Sequence, residues 1–249
     1  MKTFLFAILA LLPFTGFTQE KTAAADKSGR EYRVSGTIGV ESVSDLAWIR
    51  RYDNEIEALK RRDDQVRDFD CDVLFLGSSS ITLWDSLEED MKPLRVVNRG
   101  YGGATLRDLF YNYRAVLSAY RPRAIAFYCD NDLAGDPRDL GPGAAFDHYR
   151  LFLERLNRDY PRIPVYVLAI KYSLSRHTMQ EQQQMLNKLM KEYAATNPFV
   201  IFVDVCTPLL DGDGDVRDEL FRPDHLHLNA DGYGIWTSIL KPLLLEKCK

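Results

Sequence analysis

The sequence has only one long apolar stretch and no surplus of either charge. That stretch, residues 4–14, is shorter than the ~18 consecutive apolar residues that cross a bilayer, and no later segment reaches that length. Its 32 Lys and Arg and 36 Asp and Glu give a formal net charge of −4, and the two signs are interspersed. No internal repeat is present. We therefore expect neither a nucleic-acid partner nor a later membrane span.

The apolar stretch lies at the N-terminus. Met1 and Lys2 precede it, and small and polar residues follow, which is the pattern of a secretory signal peptide. We expect a signal peptide at residues 1–19, a flexible arm at 20–44 and one domain at 45–249. Cleavage would export the protein to the periplasm or the extracellular space without stable membrane insertion. A retained N-terminal anchor is the alternative.

Apolar runs alternate with helical patterns through the domain. The strand candidates are residues 72–76, 95–98, 124–128, 164–170 and 199–205. The helix candidates are residues 52–67, 105–119, 144–160, 179–195 and 230–247. This alternation predicts a five-stranded parallel sheet with helices on both faces. For its strand order we expect 2-1-3-4-5, that of a three-layer, flavodoxin-like α/β sandwich, which is one of the common orders of such sheets. Ligand sites in such folds lie at the carboxyl ends of the strands.

The first strand candidate ends in a glycine and three serines. Residues 73–76 are a continuous apolar run, typical of a strand covered on both faces. Gly77 suits a sharp turn, and Ser78, Ser79 and Ser80 stand where the next helix would begin. A hydroxyl group there can act as a nucleophile beside an anion-stabilising pocket. A serine that merely caps the helix is the alternative.

Polar clusters follow two further strands. Residues 98–105 are rich in glycine and lead into a helix, but their spacing does not match a dinucleotide-binding fingerprint. Residues 129–132 read Cys-Asp-Asn-Asp, and turn chemistry alone also favours such residues. Each cluster by itself is compatible with an ordinary loop.

A base and its orienting acid precede the last helix. Asp224 and His227 lie three residues apart, so their side chains can meet on one turn. An aspartate that binds one ring nitrogen leaves the other free to take a proton from a serine. With the serines, the pair forms a triad in the chain order Ser, Asp, His.

These blocks resemble the SGNH hydrolases, the superfamily that includes the Gly-Asp-Ser-Leu esterases and lipases, over nearly all of residues 45–249. The resemblance extends to a bacterial secreted branch, through Gly-Ser-Ser-Ser-Ile-x-x-Trp and residues 171–176. It implies that Ser79 is the nucleophile, with Asp224 and His227 as its partners. It also implies an oxyanion hole formed by Ser79, Gly103 and Asn131, and no cofactor.

The chain departs from the family pattern at three positions. Ser78 replaces the usual Asp, Ala104 replaces an Asp common after the second glycine, and Cys129 replaces the glycine of Gly-x-Asn-Asp. None of these changes removes a catalytic atom. Ile81 replaces the last glycine of a Gly-x-Ser-x-Gly elbow, which argues against the α/β-hydrolase fold.

We expect a serine esterase for short acyl groups, mostly acetyl, on small molecules or carbohydrates. The connections between elements are short, and no long apolar insertion offers a lid for a fatty chain. An acyltransferase with the same triad, a lipid acylhydrolase and a non-catalytic glycan-binding module are the alternatives. Further candidates for substrate contact are Tyr101, Asp132, Tyr172, Arg176 and His225.

The remaining candidates concern metal and cysteine. Residues 211–215 begin like a calcium loop, but Val216 stands where glycine is required, so we expect no metal. Of the four cysteines, Cys71 and Cys248 should share the amino edge of the sheet, and we predict a disulfide between them. Cys129 and Cys206 lie at the other edge, two strands apart, and should be free thiols.

Overall fold

Five parallel strands form the centre of the fold. The computed structural model describes residues 48–117, 119–137 and 139–248, so the predicted signal peptide and arm lie outside the described residues. The strands are β1 Asp70–Gly77, β2 Val96–Asn98, β3 Arg121–Tyr128, β4 Val165–Leu168 and β5 Val200–Val203. They are ordered β2-β1-β3-β4-β5 and all pair in parallel, which confirms the predicted fold and strand order.

Helices connect and cover these strands. The helices are α1 Asp53–Asp63, α2 Ser79–Thr82, α3 Leu87–Asp90, α4 Leu106–Tyr111, α5 Tyr113–Leu117, α6 Pro142–Asp159, α7 Gln180–Thr196 and α8 Ala230–Lys247. The single helix predicted for residues 105–119 is wrong. Asn112 separates α4 from α5 with φ −90° and ψ 13°, because Asn readily leaves helical geometry. Within the described ranges, no helix is long and apolar enough to cross a membrane.

Neighbouring residues of β3 show that the sheet is covered on both faces. Phe127 stacks on Phe152 of α6 with ring centroids 4.8 Å apart, whereas Tyr128 packs on Trp236 of α8 at 5.2 Å. Successive side chains of a strand point to opposite faces, so α6 and α8 cover opposite faces. The apolar run in β1 is fully buried, as a strand between two helical layers requires.

The carboxyl end of β1 is held close to β3. Gly77 has φ +147°, and a Cβ atom there would lie 1.8 Å from the carbonyl oxygen of Tyr128. The same oxygen accepts a hydrogen bond from the amide of Ser78 at 3.0 Å. Only glycine allows this approach, which brings the start of α2 beside the end of β3.

The predicted disulfide is wrong. All four cysteines are buried free thiols. Cys248 does return to the amino edge of the sheet, where its Sγ lies 3.7 Å from the carbonyl oxygen of Asp72. Its thiol therefore faces the backbone next to Cys71 rather than the Cys71 sulfur. Cys129 and Cys206 are free, as predicted.

Candidate active site

Ser79 is the first residue of α2, directly after the turn that ends β1. Its neighbours Ser78 and Ser80 are fully buried, while Ser79 is partly exposed. The three hydroxyls therefore differ in access, which the sequence could not decide. Among the described residues, no acceptor lies within hydrogen-bond reach of the Ser79 amide, as is usual in the first turn of a helix.

His227 and Asp224 lie on one short loop before α8. His227 Nε2 is 2.9 Å from Ser79 Oγ, and its Nδ1 is 2.6 Å from Asp224 Oδ2. A carboxylate can only accept a hydrogen bond, so Nδ1 carries the proton and Nε2 can accept from the serine hydroxyl. The structure thus connects the three predicted residues in one line of hydrogen bonds.

The loop itself fixes both side chains. Asp224 Oδ1 accepts hydrogen bonds from the amides of Leu226 at 3.0 Å and His227 at 2.9 Å. Burial acts to raise the pKa of Asp224, but the hydrogen bonds from the His227 side chain and the two amides outweigh it, so the pKa is lowered. The carboxylate therefore stays ionised and can stabilise a positively charged imidazole ring.

Arg222 ties this loop to the segment that carries the serine. Its guanidinium donates to the carbonyl oxygen of Leu228 at 3.0 Å and to that of Leu83, just after α2, at 2.9 Å. An antiparallel bridge between Phe221 and Leu228 closes the loop. The histidine loop and the serine helix are thus joined by direct contacts.

Gly103 and Asn131 supply candidate donors for a developing oxyanion. Gly103 has φ +74°, and no acceptor for its amide is found in the described part of the chain. Asn131 Nδ2 donates one hydrogen to the carbonyl oxygen of Ala104 at 3.0 Å, which leaves its second hydrogen available. Arg176 donates to Asn131 Oδ1 at 2.7 Å and so fixes which way the amide faces.

A buried ionic cluster lies behind Asn131. Asp130 and Lys171 are 4% and 1% exposed, and Arg176 is 9% exposed. Asp130 Oδ2 lies 2.9 Å from the Arg176 guanidinium and 3.5 Å from Lys171 Nζ. Ser78 Oγ donates to the other carboxylate oxygen at 3.1 Å. A hydrogen bond therefore joins Ser78, which precedes Ser79, to Asp130, which precedes Asn131.

Burial and the neighbouring charges of opposite sign act in opposite directions on the pKa values of this cluster. Burial acts to raise the pKa of Asp130, but Arg176 and Lys171 outweigh it, so the pKa of the carboxyl is lowered. Burial lowers the pKa of Lys171, and Asp130 opposes that change. Sequence reasoning assigned no role to Asp130 or Lys171, although both lie in segments that it singled out, residues 129–132 and 171–176.

The predicted substrate contacts lie in different environments. Tyr101 is 1% exposed and packs edge-on against Tyr52 in the core, with ring centroids 5.0 Å apart. His225 is exposed and pairs with Asp218 at 2.8 Å. Tyr172 is half-buried, and burial raises its pKa to about 12. Arg176 contacts Asn131, and Asp132 is buried against the amide of Leu106 at 2.8 Å.

A cavity of about 360 Å³, lined mainly by residues with polar side chains, adjoins these donors. Gly103, Asn131 and Asp132 line it, together with Arg51 and Arg107. Neither the serine nor the histidine is among its lining residues, so the cavity lies beside the reactive hydroxyl rather than around it. Burial raises the pKa of Asp132 to about 6. In the described part of the chain, no group of three His, Cys, Asp or Glu residues is arranged to hold a metal.

Comparison with known proteins gives one family. Residues 77–235 match the model of the GDSL-like lipase/acylhydrolase family. No curated protein is found to match the chain.

Solved structures share the fold. A Streptococcus pneumonia protein proposed to be a platelet activating factor is 24% identical, over 83% of this chain and 99% of its own, with a TM-score of 0.69. A GDSL-like lipase from Bacteroides thetaiotaomicron VPI-5482 is 20% identical, over 80% of this chain and 97% of its own, with a TM-score of 0.59. An acetylxylan esterase from Geobacillus stearothermophilus is 16% identical, over 72% of this chain and 94% of its own, with a TM-score of 0.55.

Proposed function

Since the chain belongs to the GDSL-like lipase/acylhydrolase family and is a hydrolase of ester bonds, we propose that it is a serine esterase that removes short acyl groups, above all acetyl, from polar alcohols such as carbohydrates. The observation that carries this proposal is the line of hydrogen bonds from Asp224 through His227 to Ser79. The sequence motifs around Ser79 and around Asp224 and His227 suggest the same family.

The first half-reaction forms an acyl-enzyme. His227 Nε2 takes the proton of Ser79 Oγ while that oxygen bonds to the ester carbonyl carbon. Asp224 holds the ring in the required tautomer and stabilises its positive charge. When the tetrahedral intermediate collapses, the carbon–oxygen bond to the alcohol breaks, and the departing alcohol takes the proton from His227.

Three N–H groups are candidates to stabilise the oxyanion: the amides of Ser79 and Gly103 and the side chain of Asn131. Loss of one such donor typically costs about 10²- to 10³-fold in rate. The hydrogen bond from Arg176 supports this role, because it presents Asn131 with its N–H groups, not its oxygen, away from the guanidinium.

Water completes the cycle. His227 takes a proton from water as the water oxygen attacks the acyl carbon, and returns it to Ser79 Oγ as the carboxylic acid leaves. Each step uses only these side chains, the ester and water. An alcohol in place of water would give acyl transfer instead.

The residues that line the cavity favour a small, polar substrate. Its lining is dominated by Asp, Arg and Asn side chains, which suit hydroxyl groups better than a fatty chain. The fold also occurs in an acetylxylan esterase, so it accommodates acetylated sugars in that protein. With the predicted signal peptide, we propose a periplasmic or extracellular site of action.

The test replaces each serine in turn. Ser79→Ala should lower the kcat for 4-nitrophenyl acetate by about 10⁴-fold or more, as loss of a nucleophile does. Ser80→Ala is the matched control, because the Ser80 hydroxyl has no partner among the described residues, and it should retain substantial activity, as should Ser78→Ala. Wild-type activity in Ser79→Ala would refute the assignment. A polyol added to the same assay separates hydrolysis from acyl transfer.

A further inference from the structure

Two arginines from different elements reach the cavity beside Gly103. Arg51 precedes α1, and Arg107 lies in α4. The Arg51 guanidinium lies 3.8 Å from the point where a Cβ atom on Gly103 would stand. Among the described residues, no carboxylate forms an ion pair with either arginine. Two guanidinium groups without an ion-pair partner among the described residues therefore border the candidate oxyanion donors.

Aromatic rings hold these arginines in place. The Arg107 guanidinium lies 4.2 Å from the centre of the Trp48 ring, and that of Arg51 lies 5.1 Å from the centre of the Tyr52 ring. Trp48 packs in turn against Tyr111, with ring centroids 5.4 Å apart. A ring face attracts a guanidinium group without neutralising it, and leaves the N–H edges free for a planar anion.

The acidic residues of the cavity have partners of their own. The lining also contains Asp108, Asp132, Asp136, Asp139 and His148. Three of these carboxylates accept hydrogen bonds from backbone amides close by in space, namely those of Asp108, Asp132 and Asp139. The fourth, Asp136, also has an interaction of its own. These carboxylates thus have hydrogen-bond or other partners outside the arginine pair, whereas neither arginine has a carboxylate partner among the described residues.

We infer that Arg51 and Arg107 form a subsite for a carboxylate on the alcohol part of the substrate. The substrate class is then an acetyl ester of a hydroxy acid, such as an acetylated acidic sugar. A guanidinium group binds a carboxylate through paired N–H donors. A singly charged carboxylate suits the cavity better than a phosphate, since four carboxylates lie nearby. The kinetic test of this inference depends on the proposed function, because it measures ester hydrolysis.

The kinetic test compares an acid with its neutral analogue. The kcat/KM for 4-acetoxybenzoate is divided by that for methyl 4-acetoxybenzoate on the same preparation, so the ratio does not depend on the amount of folded enzyme. The ratio should fall by about 10- to 100-fold in Arg51→Ala and in Arg107→Ala, as expected for a lost charged hydrogen bond. Arg50→Ala, an exposed arginine outside the cavity lining, is the matched control.

A binding test is independent of catalysis. The product 4-hydroxybenzoate is titrated into the wild type and the variants and followed by NMR, which needs no turnover. If the subsite exists, both arginine variants show a kinetic ratio at least tenfold lower than that of the wild type and bind 4-hydroxybenzoate more weakly. A smaller fall in either variant, or unchanged binding, overturns it. If Ser79→Ala keeps its activity while binding still depends on the arginines, the proposed function fails and the subsite stands.

Discussion

Replacement of Arg176 tests whether this residue orients Asn131, one of the candidate oxyanion donors. Its guanidinium donates to Asn131 Oδ1 at 2.7 Å and lies 2.9 Å from Asp130 Oδ2. In Arg176→Ala the Asn131 amide keeps only its bond to Ala104, so it can rotate away from the productive orientation. We therefore expect slower ester hydrolysis, although Arg176 need not touch the substrate.

The size of the effect has an upper limit. Complete loss of one oxyanion donor costs about 10²- to 10³-fold in kcat, so Arg176→Ala should approach about 10²-fold. The KM should change little, because the donor acts mainly in the transition state. The stability cost should stay below the ~3–5 kcal/mol of a fully unpaired buried charge, since Lys171 remains 3.5 Å from Asp130.

The assay is a comparison of single and double variants. The kcat and KM for 4-nitrophenyl acetate are measured for Arg176→Ala, Asn131→Ala and the double variant, with folding followed by urea denaturation. If Arg176 acts through Asn131, the double variant is no slower than Asn131→Ala. Arg176→Lys should recover part of the rate. His177→Ala, at the exposed neighbouring position, is the control.

Two results would refute this reasoning. One is a double variant whose loss is the product of the two single losses, which would mean that the residues act independently. The other is a raised KM with an unchanged kcat in Arg176→Ala. That pattern would make Arg176 a substrate contact, as the sequence suggested.

Three other predictions follow from the same geometry. Acetyl esters should be hydrolysed with a higher kcat/KM than butyryl and decanoyl esters, because the cavity is lined mainly by residues with polar side chains; a preference for decanoyl contradicts this. Asp130→Asn should lower the free energy of unfolding at pH 7 by about 3–5 kcal/mol, since it leaves buried cations unpaired. The Asp130 pKa is depressed in the folded protein, so its stabilisation is present above the unfolded value of about 3.9 and is lost as the pH falls. The difference in the free energy of unfolding between wild type and Asp130→Asn, measured by urea denaturation, should therefore become smaller below about pH 4. Gly77→Ala should cost more than ~3 kcal/mol, because its Cβ would lie 1.8 Å from the Tyr128 oxygen, whereas Gly102→Ala, with open space around its Cβ, should cost little.

The sequence was sufficient for the parallel sheet and limited its strand order to a few choices, of which the flavodoxin-like one is confirmed. Continuous apolar runs identify strands buried between two layers, and their alternation with helical patterns leaves few topologies. The two wrong predictions, one helix over residues 105–119 and the disulfide between Cys71 and Cys248, concern details that sequence patterns do not determine. Asn112 interrupts a periodicity that continues on both sides of it, and the orientation of the Cys248 thiol depends on how the last helix ends.

The site was predictable where its residues are close in sequence and not where they meet only in space. Asp224 and His227 share one turn, so their spacing alone suggested a pair. The contacts of Asp130 with Lys171 and Arg176 join the ends of β3 and β4, and no spacing along the chain encodes them. Likewise, no spacing along the chain links Arg51 with Arg107, which meet at one cavity only in the folded protein.

The order of the site along the chain has a consequence for biosynthesis. Ser79 and His227 are separated by 148 positions, and Asn229, which caps α8, follows the histidine almost at once. At about 5–20 residues per second, the ribosome makes the serine roughly 7–30 s before its base. Under the proposed mechanism, a nascent chain therefore carries the nucleophile without its base throughout the synthesis of the intervening segment. By the same mechanism, Ser79 becomes reactive only when the segment that carries His227 has folded against α2.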